Sequence, residues 1–88
     1  MASYSLRIKK SAAKELEAIG SKADRRRIVA RIRALADDPR PPGCRKLSGR
    51  DRYRIRQGRY RILYTIEDRR LTVYVIRIGD RKDVYRRD

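Results

Sequence analysis

The sequence contains no histidine, tryptophan or phenylalanine, and only one cysteine in 88 residues. Without histidine, the commonest zinc ligand and acid-base side chain is missing, so neither a zinc site nor any other metal or cofactor is expected. Cys44 has no imidazole to activate it as a nucleophile, and one thiol cannot close an internal disulfide, so it is read as structural. Long apolar runs are missing too. The longest, LTVYVIRI, is interrupted by Thr72 and Arg77, and the opening MASYSLRIKK has no apolar centre. Neither a membrane span nor a signal peptide is therefore expected, and the protein is placed in the cytoplasm. Acid is also scarce: 11 Asp and Glu face 26 Lys and Arg, a net charge of +15.

A chain of this length supports one domain with a modest core, so residues 1–88 are read as a single domain. Twenty of the 26 basic residues are arginine. Such an excess repels itself, and its natural counterpart is a polyanion: nucleic acid or an acidic protein. A membrane surface fits less well, because no helix combines a basic face with large exposed apolar residues. Residues 1–38 carry 10 basic and 5 acidic groups, residues 39–88 carry 16 and 6, so the second half is the expected binding half.

That half is rich in β-branched and aromatic residues, in runs bounded by Gly58, by Glu67 to Arg70 and by Gly79. Gly58 and Arg59 suit a two-residue hairpin turn with glycine at positive φ in its first central position. The turn fixes a register in which Arg54 faces Leu63, Ile55 faces Ile62 and Arg56 faces Arg61. Strand alternation then gathers Tyr53, Ile55, Ile62, Tyr64 and Ile66 on one face and Arg54, Arg56 and Arg61 on the other. Arginines directly across a strand pair repel, and a phosphate held by both guanidinium groups would offset that repulsion. Arginines on a wet sheet face also serve solubility, and the pattern alone leaves both readings open. With a hairpin closed by Glu67 to Arg70, Val73 and Val75 join the apolar face, while Tyr74 and Ile76 join the arginines. Tyr74 is then placed to stack a base, to touch a protein partner or simply to pack.

Upstream, Tyr4 to Ile8 alternates as a short strand. SAAKELEAIG reads as a helix capped by Ser11 and ended by Gly20 in the left-handed conformation. Ser21 and Asp24 resemble a capping box opening a second helix to about Ala36, with Ile28, Ile32, Leu35 and Ala36 as its apolar stripe. Arg26, Arg27, Arg31 and Arg33 form its other side, available to solvent or to RNA. Asp37, Asp38 and Pro39 stop it, RPPG is a stiff loop, and Arg45 to Leu47 leads into the sheet before a turn at Ser48 to Asp51. The fold class expected is α+β: an N-terminal strand, a helical hairpin, then an antiparallel meander of three to four strands with the helices over its apolar face.

The helical hairpin after a first strand, followed by KL, YRIRQGRYRILY and IGDRKDVY, resembles the RelE/ParE superfamily of toxin-antitoxin modules over nearly the whole chain. It is closer to the RelE-like mRNA interferases than to the ParE-like gyrase inhibitors, since arginines and a late tyrosine stand at the positions of the RelE active site. The resemblance implies a toxin that cleaves mRNA in the ribosomal A site without a metal, leaving a 2′,3′-cyclic phosphate and a 5′-hydroxyl. It also implies neutralisation by a small, partly disordered antitoxin. Arg54 and Arg56 match residues that grip the message, with Lys46 and Tyr74 counted as further RNA contacts. Arg61 matches the residue on the scissile phosphate, Arg81 the one near the leaving 5′ oxygen, and Tyr85 the catalytic tyrosine.

Arginine stays protonated and can only bind and stabilise, so the proton must go elsewhere. Tyr85, with an ordinary pKa of about 10, serves as base or as orienter of the 2′-hydroxyl if Arg81 and Arg86 lower that value. Tyr85 packed at the sheet edge, with Arg81 paired to Asp83, is the alternative. The chain departs from the pattern in three ways. Asp80 stands where some relatives have histidine and sets a carboxylate near the substrate. Arginines replace lysines at 54 and 56, and too few residues follow Tyr85 for a further helix. A ParE-like gyrase inhibitor and a nucleic-acid-binding module without chemistry remain as other functions.

Overall fold

In the computed structural model, which describes residues 3–47 and 51–80, the hairpin around Gly58 is the centre of the sheet. Strands β3 (Tyr53–Gln57) and β4 (Tyr60–Glu67) pair antiparallel in the expected register, with Arg54 opposite Leu63 and Arg56 opposite Arg61. Gly58 has φ 60°, while Arg59 is not among the positive-φ residues, which matches a turn needing the left-handed region at its first central position only.

Strand β5 (Thr72–Asp80) returns antiparallel along β4. The connecting 3-10 turn, Asp68–Arg70, ends on Leu71 in the left-handed conformation. It sits one residue later than the turn read from sequence, so Ile66 faces Val73 instead of Leu71. A two-residue slip preserves parity, and Val73 and Val75 are buried as expected. The ladder then breaks between Leu63 and Tyr64: Tyr64 faces Val75 and Leu63 faces Arg77. Ile76 is thus skipped by the register, Arg77 takes the place opposite Leu63, and Ile78 is delivered to the core. Gly79, expected to end the strand, lies inside it opposite Arg61.

The sheet order is β1-β5-β4-β3-β2. Strand β1 (Ser5–Ile8) lies parallel to β5, Leu6 facing Val73, so the sheet is mixed; the two-residue β2 (Arg45–Lys46) flanks β3. Beyond β1, the Ile78 N–H of β5 donates to the Glu15 carboxylate at 3.0 Å, which satisfies an edge group the strand pairing leaves over.

Helices α1 (Lys10–Glu17) and α2 (Lys22–Ala34) cover the apolar face. In α2 the Ser21 hydroxyl accepts the Asp24 N–H at 3.2 Å, the cap read from sequence. Helix α1 departs from the reading: it starts before Ser11, with Lys9 at the cap position and no side-chain cap. Its cap at the other end, Ala18, is right-handed, and Gly20 does not take a positive φ. Ala12, Ile19, Ile28, Ile32 and Leu35 pack on Ile55, Ile62, Tyr64, Val73, Val75 and Ile78. Burying one such aliphatic side chain stabilises by roughly 1.5–3 kcal/mol. No helix among the described residues is long and apolar enough to cross a membrane.

The loop after α2 is held by tyrosines. Tyr64 donates its hydroxyl to the Pro39 carbonyl at 2.7 Å and lies 3.2 Å from Cys44 Sγ; burial pushes its pKa well up. Tyr53 stacks on Tyr64 with centroids 5.8 Å apart, and Arg40 lies over Tyr53 at 5.2 Å. Arg40 also grips Asp68, which accepts the Tyr4 hydroxyl at 2.7 Å. Loop, first strand and β4-β5 turn are thereby tied together.

Candidate nucleic-acid interface

The helices occupy one side of the sheet, and strand alternation sends Arg54, Arg56, Arg61 and Leu63 to the other. Arg54 and Arg61 are 8% and 4% exposed, a degree of burial that arginine rarely reaches, whereas Arg56 is open to solvent. Both buried side chains have interaction partners within the chain. These packed side chains stand beside an exposed neighbour, Arg56, that faces Arg61 directly. Among the described strand residues, Glu67 is the one carboxylate in register with this face, and it lies 3.5 Å from Arg70.

The register also redistributes the residues named from sequence. Lys46 is opposite Tyr53, on the helix-bearing side, and its ammonium lies 3.6 Å from Asp51. Arg45, not singled out from sequence, is opposite Arg54 and takes the position on the arginine face. The run RKL holds both residues, and only the pairing with β3 decides which of them turns toward Arg54. Tyr74 does join the arginine face, 38% exposed between Arg7 and Thr65. Arg81 and Tyr85 lie outside the described residues.

Asp80 does not sit among the arginines. It is opposite Tyr60, on the helix side, where Arg59 Nε and Nη2 donate to its Oδ2 at 2.8 and 2.5 Å. Arg77 reaches the Glu15 carboxylate at 3.5 Å, so its charge is partly answered at the sheet edge. Arg45, Arg54, Arg56 and Arg61 therefore share one face of the sheet: Arg45 and Arg56 are exposed on it, and Arg54 and Arg61 are buried between them with partners of their own.

On the opposite side of the molecule, Leu16, Val29 and Ala30 line a surface groove between the helices, edged by Lys22, Arg25, Arg26 and Arg33 and by one carboxylate, Glu17. Arg25 also donates to the Ile19 carbonyl and so ties α2 to the connection that joins the helices.

Comparison with known proteins supplies the context. The family model described as the ParE toxin of type II toxin-antitoxin systems matches residues 6–85. The toxin RelG of Mycobacterium tuberculosis is 44% identical over 46 residues, 52% of this chain and 51% of that protein, so the match spans about half the length of this curated relative. The fold is similar to the toxin-antitoxin complex RelBE2 of the same organism, with TM-score 0.81 and 26% identity over 94% of this chain and 97% of the other. It is similar too to the RelE-RelB complex of Pyrococcus horikoshii, with TM-score 0.82 and 28% identity over 92% and 98%. Isolated RelE of E. coli gives TM-score 0.75 and 30% identity over 96% and 93%.

Proposed function

Since the chain belongs to the ParE toxin family of type II toxin-antitoxin systems, within the RelE/ParE superfamily, we propose that it is an endoribonuclease that cuts mRNA in the ribosomal A site. The observation that carries this reading is the placement of Arg54, Arg56 and Arg61 on one sheet face, with Arg56 directly across from Arg61. In the reaction a ribose 2′-hydroxyl attacks its own phosphodiester. The 2′-oxygen bonds to phosphorus, the bond to the 5′ oxygen breaks, and the products are a 2′,3′-cyclic phosphate and a 5′-hydroxyl. Negative charge builds on the non-bridging oxygens, and cations already held in place lower the barrier there. Arg54 and Arg56 bind the message, and Arg61 stabilises the phosphorane. From the family resemblance, Tyr85 takes the 2′ proton or orients that hydroxyl, and Arg81 serves the leaving oxygen. A ribosomal target places the protein in the cytoplasm.

Cleavage on programmed ribosomes tests the assignment. Arg61→Gln should slow cutting by about a hundredfold or more, the range seen when one preorganised donor to a developing oxyanion is lost. Tyr85→Phe should slow it too, and an unchanged rate for either variant removes that residue from the mechanism. The ParE description of the matching family favours a second reading, inhibition of DNA gyrase. Loss of supercoiling activity with intact mRNA would select it.

The partner in either case is a cognate antitoxin, as in the complexes of similar fold. The groove of Leu16, Val29 and Ala30, with its mostly cationic edges, suits an amphipathic helix with acidic flanks.

A further inference from the structure

On the arginine face, away from Arg56 and Arg61, lies a depression of about 400 Å³ lined by Arg7, Thr65, Glu67, Arg70, Thr72 and Tyr74. Its volume is within the range of about 300–1,000 Å³ in which compact ligands are held. Arg7, Tyr74 and Thr65 form one row across β1, β5 and β4. Tyr74 is partly open to solvent, Arg7 is exposed beside it, and the Glu67 carboxylate lies 3.5 Å from Arg70. Thr65 lies four residues along β4 from Arg61, which is about 13 Å of strand.

We propose that this depression is a second subsite for single-stranded RNA, in which Tyr74 stacks one base and Arg7 holds an adjoining phosphate. It deepens the ribonuclease reading and rests on it: the depression lies on the same sheet face as Arg56 and Arg61, with the buried Leu63 between Thr65 and Arg61. An RNA strand offers planar rings and phosphates in alternation, and the row offers a ring and a guanidinium group side by side. An acidic peptide would answer Arg7 and leave the ring of Tyr74 without a stacking partner. The Thr65 hydroxyl adds a donor and acceptor at the height of a base edge or 2′-hydroxyl. From the stacked rise of 3.4 Å upward, the 13 Å separation corresponds to about two to four nucleotides.

The test uses the full chain and a non-cleavable 2′-O-methyl RNA octamer carrying 2-aminopurine at each position in turn. Binding should quench the fluorescence at one position in particular. Tyr74→Leu, which keeps an apolar side chain in the strand, should abolish that quenching and weaken the octamer roughly 5- to 150-fold, while Tyr74→Phe retains both. Arg7→Gln should flatten the slope of log affinity against log salt by about 0.7. Quenching and affinity unchanged in Tyr74→Leu, or an unchanged slope in Arg7→Gln, overturns the subsite. So does a Tyr74→Leu variant that loses antitoxin binding and keeps the octamer. Cleavage of translated mRNA by the wild type is scored separately. A protein that cuts but fails the octamer tests keeps the ribonuclease reading and loses the subsite; one that passes them without cutting does the reverse.

Discussion

Arg56 shows how one residue serves two opposed ends. It stands directly across from Arg61, and like charges in that position destabilise a strand pair by about 0.2–1 kcal/mol. Arg56→Thr should therefore raise the urea midpoint modestly while weakening RNA binding and cleavage; a variant both less stable and fully active would contradict the account. Asp68 is the residue with the clearest pH signature. Arg40 first, and the Tyr4 hydroxyl second, hold its carboxyl below the ordinary value. A carboxyl depressed in the folded state stabilises above its unfolded pKa of about 4, and that contribution is lost as pH falls through the lower folded value. Melting between pH 6 and pH 2.5 should thus show a steeper acid decline in the wild type than in Asp68→Asn. The Arg40, Asp68 and Tyr4 contacts were not legible in the sequence, because they join residues 28 and 64 positions apart. The cap of α2 was legible, since Ser21 and Asp24 meet within one turn.

Strand pairing explains which parts of the site could be read in advance. The β3-β4 hairpin follows from Gly58, and with it the shared face of Arg54, Arg56 and Arg61. Alternation alone cannot foresee the break at Leu63 and Tyr64, which skips Ile76 and turns Ile78 inward. Nor can it choose between Arg45 and Lys46, because a two-residue strand has no pattern of its own and takes its register from β3. The parallel docking of β1 is equally non-local, and it leaves the lower half of β5 to be finished by α1. Glu15 does this through the Ile78 N–H and Arg77. Glu15→Ala should cost about 1–3 kcal/mol in a urea melt, the usual loss when a partly buried charge-assisted hydrogen bond is removed. No change in midpoint would show that water replaces the carboxylate freely.

At the scale of the whole molecule, a charge of +15 on 88 residues is divided between two surfaces with different chemistry. The sheet carries arginines in register, the surface proposed for RNA; the helices carry an apolar groove with mostly cationic edges, the surface proposed for the antitoxin. If the division holds, Val29→Glu weakens antitoxin binding at least tenfold, measured by calorimetry, and leaves octamer affinity nearly intact. The cationic sheet face as the place of message cleavage is tested most directly by mapping 5′ ends of one transcript, translated or blocked at initiation, after exposure to wild type or Arg61→Gln. New 5′-hydroxyl ends confined to the translated message and the wild type are the predicted result. Ends absent throughout, or equally abundant with Arg61→Gln, would contradict it.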